Sequence, residues 1–137
     1  MKALFVLTCL LLVPPLMAQP ATELKDVKKV YVDSFGNDEG ADIIRSKIVT
    51  RLVKDRRLQV VLDRDDADAV LIGGGGAIRG ASTAGVQLVG KDRIILWADD
   101  FSSNGVGWFV SGSPSTHLAD DIVSSLIKAI EKAKKKK

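Results

Sequence analysis

From residue 27 onward the chain switches between two hydrophobic periods, and each switch predicts a change of element. In KKVYVDSF the apolar positions Val30 and Val32 recur two apart, with Phe35 following Ser34. A first strand is therefore expected within Val27 to Phe35, ending at Gly36. Asn37 or Asp38 then offers a short side-chain oxygen to cap a helix. Ala41, Ile44, Ile48 and Leu52 fall three or four apart, while Arg45, Lys47, Arg51 and Lys54 point elsewhere, so an amphipathic helix is expected through about Lys54.

Beyond Arg56 and Arg57 the period returns to short apolar runs. Leu58 to Leu62 reads as a strand, and Asp63 to Asp68 as a solvated acidic connection. Ala69 to Ile72 reads as a strand buried on both faces. The glycine run Gly73 to Gly76 is expected to bulge or to let another backbone come close. Gly85 to Val89 and Arg93 to Ala98 form a hairpin about Gly90, Lys91 and Asp92. A loop from Asp99 to Gly105 leads to an edge strand, Val106 to Val110. Ser113 and Pro114 mark a helix start, since proline in the first turn forfeits no hydrogen bond. Leu118, Ile122, Leu126, Ala129, Ile130 and Ala133 keep helical spacing, so this helix is expected to reach roughly Lys132.

Together these elements predict an α/β fold, an α+β sandwich. Its mixed sheet has four to six strands, two helices pack on one face, and the order is strand, helix, strands, helix. There is no internal repeat, and residues 27–132 read as one domain.

The first 26 residues follow a different logic. Met1 and Lys2 are followed by an apolar run, Ala3 to Val13, then by Pro14, Pro15 and the small residue Ala18. This is the order of a secretory signal, with cleavage expected between Ala18 and Gln19 and a flexible leader over residues 19–26. The run is shorter than the ~20 residues that span a bilayer. The only cysteine, Cys9, lies inside it, so the mature chain would carry no disulfide and no thiolate metal site.

Charge changes the picture only once it is located. The formal net charge is +3, but Lys132 and Lys134 to Lys137 supply five basic groups at the end of the chain, where residues 133–137 form a basic tail. The remaining body is near neutral and slightly acidic, which argues against a nucleic-acid partner. Membrane contact is expected to be peripheral at most.

Candidate chemistry is sparse. The glycine run leads toward another strand and not into a helix, so it lacks the amides and dipole of a phosphate loop. Counting from Asp63, the sixth and twelfth positions are Asp68 and Gly74, where a calcium loop needs glycine and glutamate. His117 is the only histidine, and Ser113 and Ser115 beside it sit where serine ordinarily caps a helix. Asp99 and Asp100 are adjacent, and on a strand they would point to opposite faces. No catalytic, cofactor-binding or metal-ligating residues are therefore assigned. Of Trp108 and Phe109, a strand would turn one inward and one outward, making the outward ring a candidate partner anchor; burial of both under the second helix is the alternative.

KKVYVDSF, the helix after it, ADAVLIG at Ala67 to Gly73, and RIILW at Arg93 to Trp97 before a closing helix resemble a group of bacterial envelope proteins. These are the relatives of the curli secretion lipoprotein CsgG and of the amino-terminal domain of TolB, including penicillin-binding-protein activators. The resemblance covers Val27 to Lys132 and implies a periplasmic α/β domain that contacts envelope proteins or the cell-wall machinery, with no catalytic residues to carry over. It stops short of pore formation and of a complete TolB role. The leading expectation is an exported, periplasmic or secreted, non-enzymatic binding or scaffold protein with no cofactor and with oligomeric state open. The alternatives are an exported hydrolase using His117 and a lipid-surface protein held by its lysine tail.

Overall fold

A computed structural model describes residues 23–37, 40–78, 81–104 and 114–136. In chain order the elements are β1 (Lys29–Val32), α1 (Ala41–Asp55), β2 (Gln59–Val60), β3 (Ala69–Ile78), β4 (Ala81–Gly90), β5 (Ile95–Asn104) and α2 (Pro114–Lys135). The strands form one mixed sheet in the order β2-β1-β3-β4-β5. β1 runs parallel to both β2 and β3, and β3, β4 and β5 are successively antiparallel. This is the expected α/β architecture.

One face of the sheet carries the core. Val30 and Val32 of β1, Ala69 and Leu71 of β3, and Ala84, Val86 and Leu88 of β4 alternate inward and are buried. Over them lie Ala41, Ile44, Ile48 and Leu52 of α1 and Leu118, Ile122, Leu126 and Ile130 of α2, each on the stripe that helical spacing requires. The two helices pack side by side, α1 above β2 and β3 and α2 above β4 and β5. Leu24, in a 3₁₀ turn at Leu24–Asp26, also lies against this core.

Several expected boundaries shift for physical reasons. β1 is shorter than Val27 to Phe35, although Val27 and Phe35 are both buried at its ends. β2 shrinks to two residues because it pairs only with β1, leaving Leu62 97% exposed. The α1 N-cap is Gly40 in the left-handed region (φ 81°), with no side-chain cap, so the capping role expected of Asn37 is not realised; Asp38 lies outside the described residues. α2 starts at Pro114 as expected and extends three residues past Lys132.

The larger corrections concern two polar or glycine-rich stretches. The glycine run is not a bulge. It continues β3 in unbroken register with β4, from Ala69↔Gly90 through Gly73↔Val86 and Gly76↔Thr83 to Ile78↔Ala81. The irregularity lies instead on the other side of β4, between Leu88 and Val89 in its pairing with β5. Likewise Asp99 to Asn104 is strand and not loop, pairing from Val86↔Asp99 to Ala81↔Asn104.

Candidate interaction surface

The second face of the sheet has no helix across it among the described residues. Strand register arranges its outward side chains in rows about 7 Å apart, two residues of rise each. The first row is Tyr31, Val70, Val89 and Ile95, and the second is Ile72, Gln87 and Ala98. The third is Gly74, Gly85 and Asp100. Tyr31, Val70, Ile72 and Val89 are all partly exposed, so the lower half of this face is an apolar ridge in contact with solvent. The third row, in contrast, is a hollow floored by two glycines.

The glycines that form this hollow differ in what they answer to. At Gly73, on the inward side, a Cβ would stand 2.4 Å from the buried Phe35 ring, so this glycine serves the core. At Gly74, on the open side, a Cβ would meet nothing within 4 Å, and φ is not positive. Packing within the chain therefore does not require glycine there. At Gly85 the nearest atom to an added Cβ is Asp100 Oδ1, at 3.0 Å, so the Asp100 carboxylate leans over the hollow.

Charged side chains lie at both ends of the same axis. Below the apolar ridge the β4–β5 turn presents Lys91 and Arg93, both exposed. Arg93 closes that turn through its amide on the Gly90 carbonyl (3.0 Å) and adopts φ 64°, a conformation more natural to glycine. Arg64 lies over the Tyr31 ring, 5.8 Å from its centroid, and pairs with Asp33. The opposite end of the face carries Asp100. The surface is thus apolar in the middle, with mixed charge at the turn end, where Asp92 lies between Lys91 and Arg93 and Asp33 pairs with Arg64, and with Asp100 at the other end.

The remaining candidates lie elsewhere. Asp99 turns to the helix face, where it accepts a hydrogen bond from Ser125 Oγ of α2 (3.2 Å), so Asp99 and Asp100 do point apart. In the acidic connection, Asp63 accepts from the Asp65 amide (2.9 Å), and Asp68 accepts from the amides of Lys28 and Lys29 (2.9 and 2.8 Å). Asp68 therefore ties the entry of β3 to the start of β1, and buried Ala67 before it completes that junction. His117 is half-buried on α2 with its Nε2 shielded from solvent. Its neighbours in the helix are engaged with α1, Thr116 with Lys47 and Asp120 with Arg51. No group of three or more metal-ligating side chains occurs among the described residues. Ala18, Gln19, Trp108, Phe109 and Ser113 lie outside the described residues. Among those described, no helix is long and apolar enough to cross a membrane.

The open face was missed in the sequence because its signal is split. Val70, Ile72 and Val89 read only as members of continuous apolar runs, and nothing in one strand shows that its second face stays uncovered.

No family model matches the chain, and no curated protein matches it either. Among solved structures it is similar to a PelC variant from Paraburkholderia phytofirmans, solved as a dodecamer. The TM-score is 0.55 at 18% identity, covering 78% of this chain and 90% of that one. It is also similar to TolB from Acinetobacter baumannii, with a TM-score of 0.55 at 13% identity over 75% of this chain; it spans only 28% of that protein. A third similarity is to the LpoB C-terminal domain from Salmonella enterica, with a TM-score of 0.45 at 15% identity, covering 56% of this chain and 82% of that one. At these identities the PelC and TolB likenesses are likenesses of fold, and they give the TolB part of the sequence resemblance a structural counterpart.

Proposed function

We propose that this chain is an exported, periplasmic, non-enzymatic binding or scaffold protein of the cell envelope, released from its signal between Ala18 and Gln19. In this reading the uncovered sheet face holds a protein partner. One observation carries the reading: Tyr31, Val70, Ile72 and Val89 form an apolar ridge on a sheet face that no described element covers. A sheet face meant only for solvent would alternate to polar side chains at these positions, and rimmed apolar surface of this kind is characteristic of interaction sites.

The envelope setting draws support from the signal-like first residues, from the sequence strings that resemble those of the TolB group, and from the TolB-like fold. Trp108 and Phe109, which follow β5 in the chain, are proposed as further partner anchors. The test is affinity isolation from envelope extracts with the wild-type protein and an Ile72→Asp variant. The reading expects a reproducible envelope protein that the variant no longer retains. Retention unaffected by the variant, or no reproducible partner, would contradict it.

A further inference from the structure

We infer that the lower end of the molecule, where the last turns of α2 pass the start of β5, docks onto an anionic phospholipid surface. This goes beyond the protein-binding reading of the open sheet face and does not depend on it. Ser125, Lys128, Lys132 and Lys135 are spaced three, four and three apart, so they share one stripe of α2. The hydrogen bond from Ser125 to Asp99 turns that stripe toward β5. Lys128, Lys132 and Lys135 are all exposed, and none pairs with a carboxylate among the described residues. Lys134, off the stripe, pairs with Glu131 (3.5 Å).

The same stripe runs down to exposed apolar side chains. α1 and α2 are parallel, since Lys47 meets Thr116 and, a turn later in both helices, Arg51 meets Asp120. α1 runs against β1, as a crossover between parallel strands requires, and β5 is parallel to β1 after two reversals, so α2 descends along β5. From Asp99 to Ile95 the strand falls ~13 Å, which is about nine residues of helix. Ile94 and Ile95 therefore lie level with Lys132 to Lys135, and each is 54% exposed. The Ile94 carbonyl accepts from the Gly90 amide (2.9 Å), which sets Ile94 opposite Gly90, on the helix side.

The neighbouring carboxylates do not cancel the stripe. Lys91 and Arg93 are offset by Asp92 between them and by Asp65, which lines a cleft with both, so the excess charge belongs to α2. Glu23, in the turn packed against α2, pairs with Lys25 (3.2 Å), and Asp26 is matched in number by Lys28. Asp99 and Asp121 lie toward the opposite end of the same flank. Unpaired lysines beside exposed isoleucines suit a bilayer boundary, where ammonium groups reach phosphates while apolar side chains enter the layer beneath. A soluble anion would leave the isoleucines without a role.

The test is cosedimentation of the mature chain with phosphatidylglycerol-containing vesicles, with phosphatidylcholine vesicles and soluble polyphosphate as comparisons and circular dichroism to confirm that each variant folds. Wild type is expected to bind the anionic vesicles, less so as salt rises, and to pass over phosphatidylcholine. Lys128→Gln, Lys132→Gln and Lys135→Gln together are expected to weaken binding on the order of a hundredfold, and Ile94→Ser about tenfold. Lys54→Gln, Arg56→Gln and Arg57→Gln, an equal loss of charge at the end of α1, are expected to weaken it less than about tenfold. No vesicle binding by wild type, equal losses from the two triple variants, or wild-type binding by Ile94→Ser overturns the inference. Polyphosphate binding as tight as that of the vesicles at equal charge overturns it too, since the surface would then serve a free polyanion.

Discussion

Gly73 and Gly74 are neighbours in one strand, yet an added methyl group would meet opposite surroundings at the two positions. At Gly73 it would press on the fully buried Phe35 ring, which has no free volume into which to retreat. Gly73→Ala is therefore expected to lower stability by about 1–3 kcal/mol in urea unfolding. Gly74→Ala, in open space with ordinary strand geometry, is expected to be neutral or to stabilise the isolated chain by up to about 1 kcal/mol, because it removes backbone freedom from the unfolded state. Equal losses at both sites would show that the run answers to a single constraint. Asp68 makes a second argument at this scale. Its carboxylate accepts two β1 amides, so Asp68→Ala is expected to cost about 1–2 kcal/mol in the same assay, whereas Asp65→Ala, on an exposed side chain, should leave stability unchanged. The sequence placed Asp68 at the entry to a strand, but the partner of its carboxylate lies some forty positions earlier and could be found only from the parallel β1–β3 pairing.

Among the elements, legibility followed side-chain periodicity. Both helices were readable because their apolar stripes repeat over several turns, and Ala41, Ile44, Ile48 and Leu52 are the buried residues of α1. The same logic predicts a sharp contrast under truncation. Leu126→Ala, fully buried on α2, is expected to cost about 2–5 kcal/mol. Val53→Ala, 58% exposed on α1, is expected to stay within about 0.5 kcal/mol of wild type by thermal or urea unfolding. The strands were readable only where they alternate. Gly73 to Gly76 have no side chains with which to declare a face, and Asp99 to Asn104 are mostly polar because β5 is an edge strand, so the first read as a bulge or close backbone approach and the second as a loop. Hydrogen bonding to β4 decides them, and that pairing is non-local information. The capping expectation failed for a related reason: Gly40 brings the chain into α1 through a positive φ, and no side-chain oxygen is used.

At the scale of the whole molecule, the two faces of the sheet have unequal fates. Two helices cover one and leave the other as an apolar ridge with charged groups at its ends. Neither this ridge nor its exposure could be read from any single segment, since Tyr31, Val70, Val89 and Asp100 come from four separate strands. The account makes this face the working surface of the protein, and cysteine accessibility addresses that directly, because the only native cysteine, Cys9, lies within the proposed signal. Gln87→Cys, at the centre of the face, and Ile43→Cys, at an exposed position on α1, would be labelled with a thiol reagent in dilute purified protein and in intact cells. The account predicts that both react when dilute, and that in cells position 87 becomes protected while position 43 stays reactive. Equal labelling of position 87 in the two settings would contradict it.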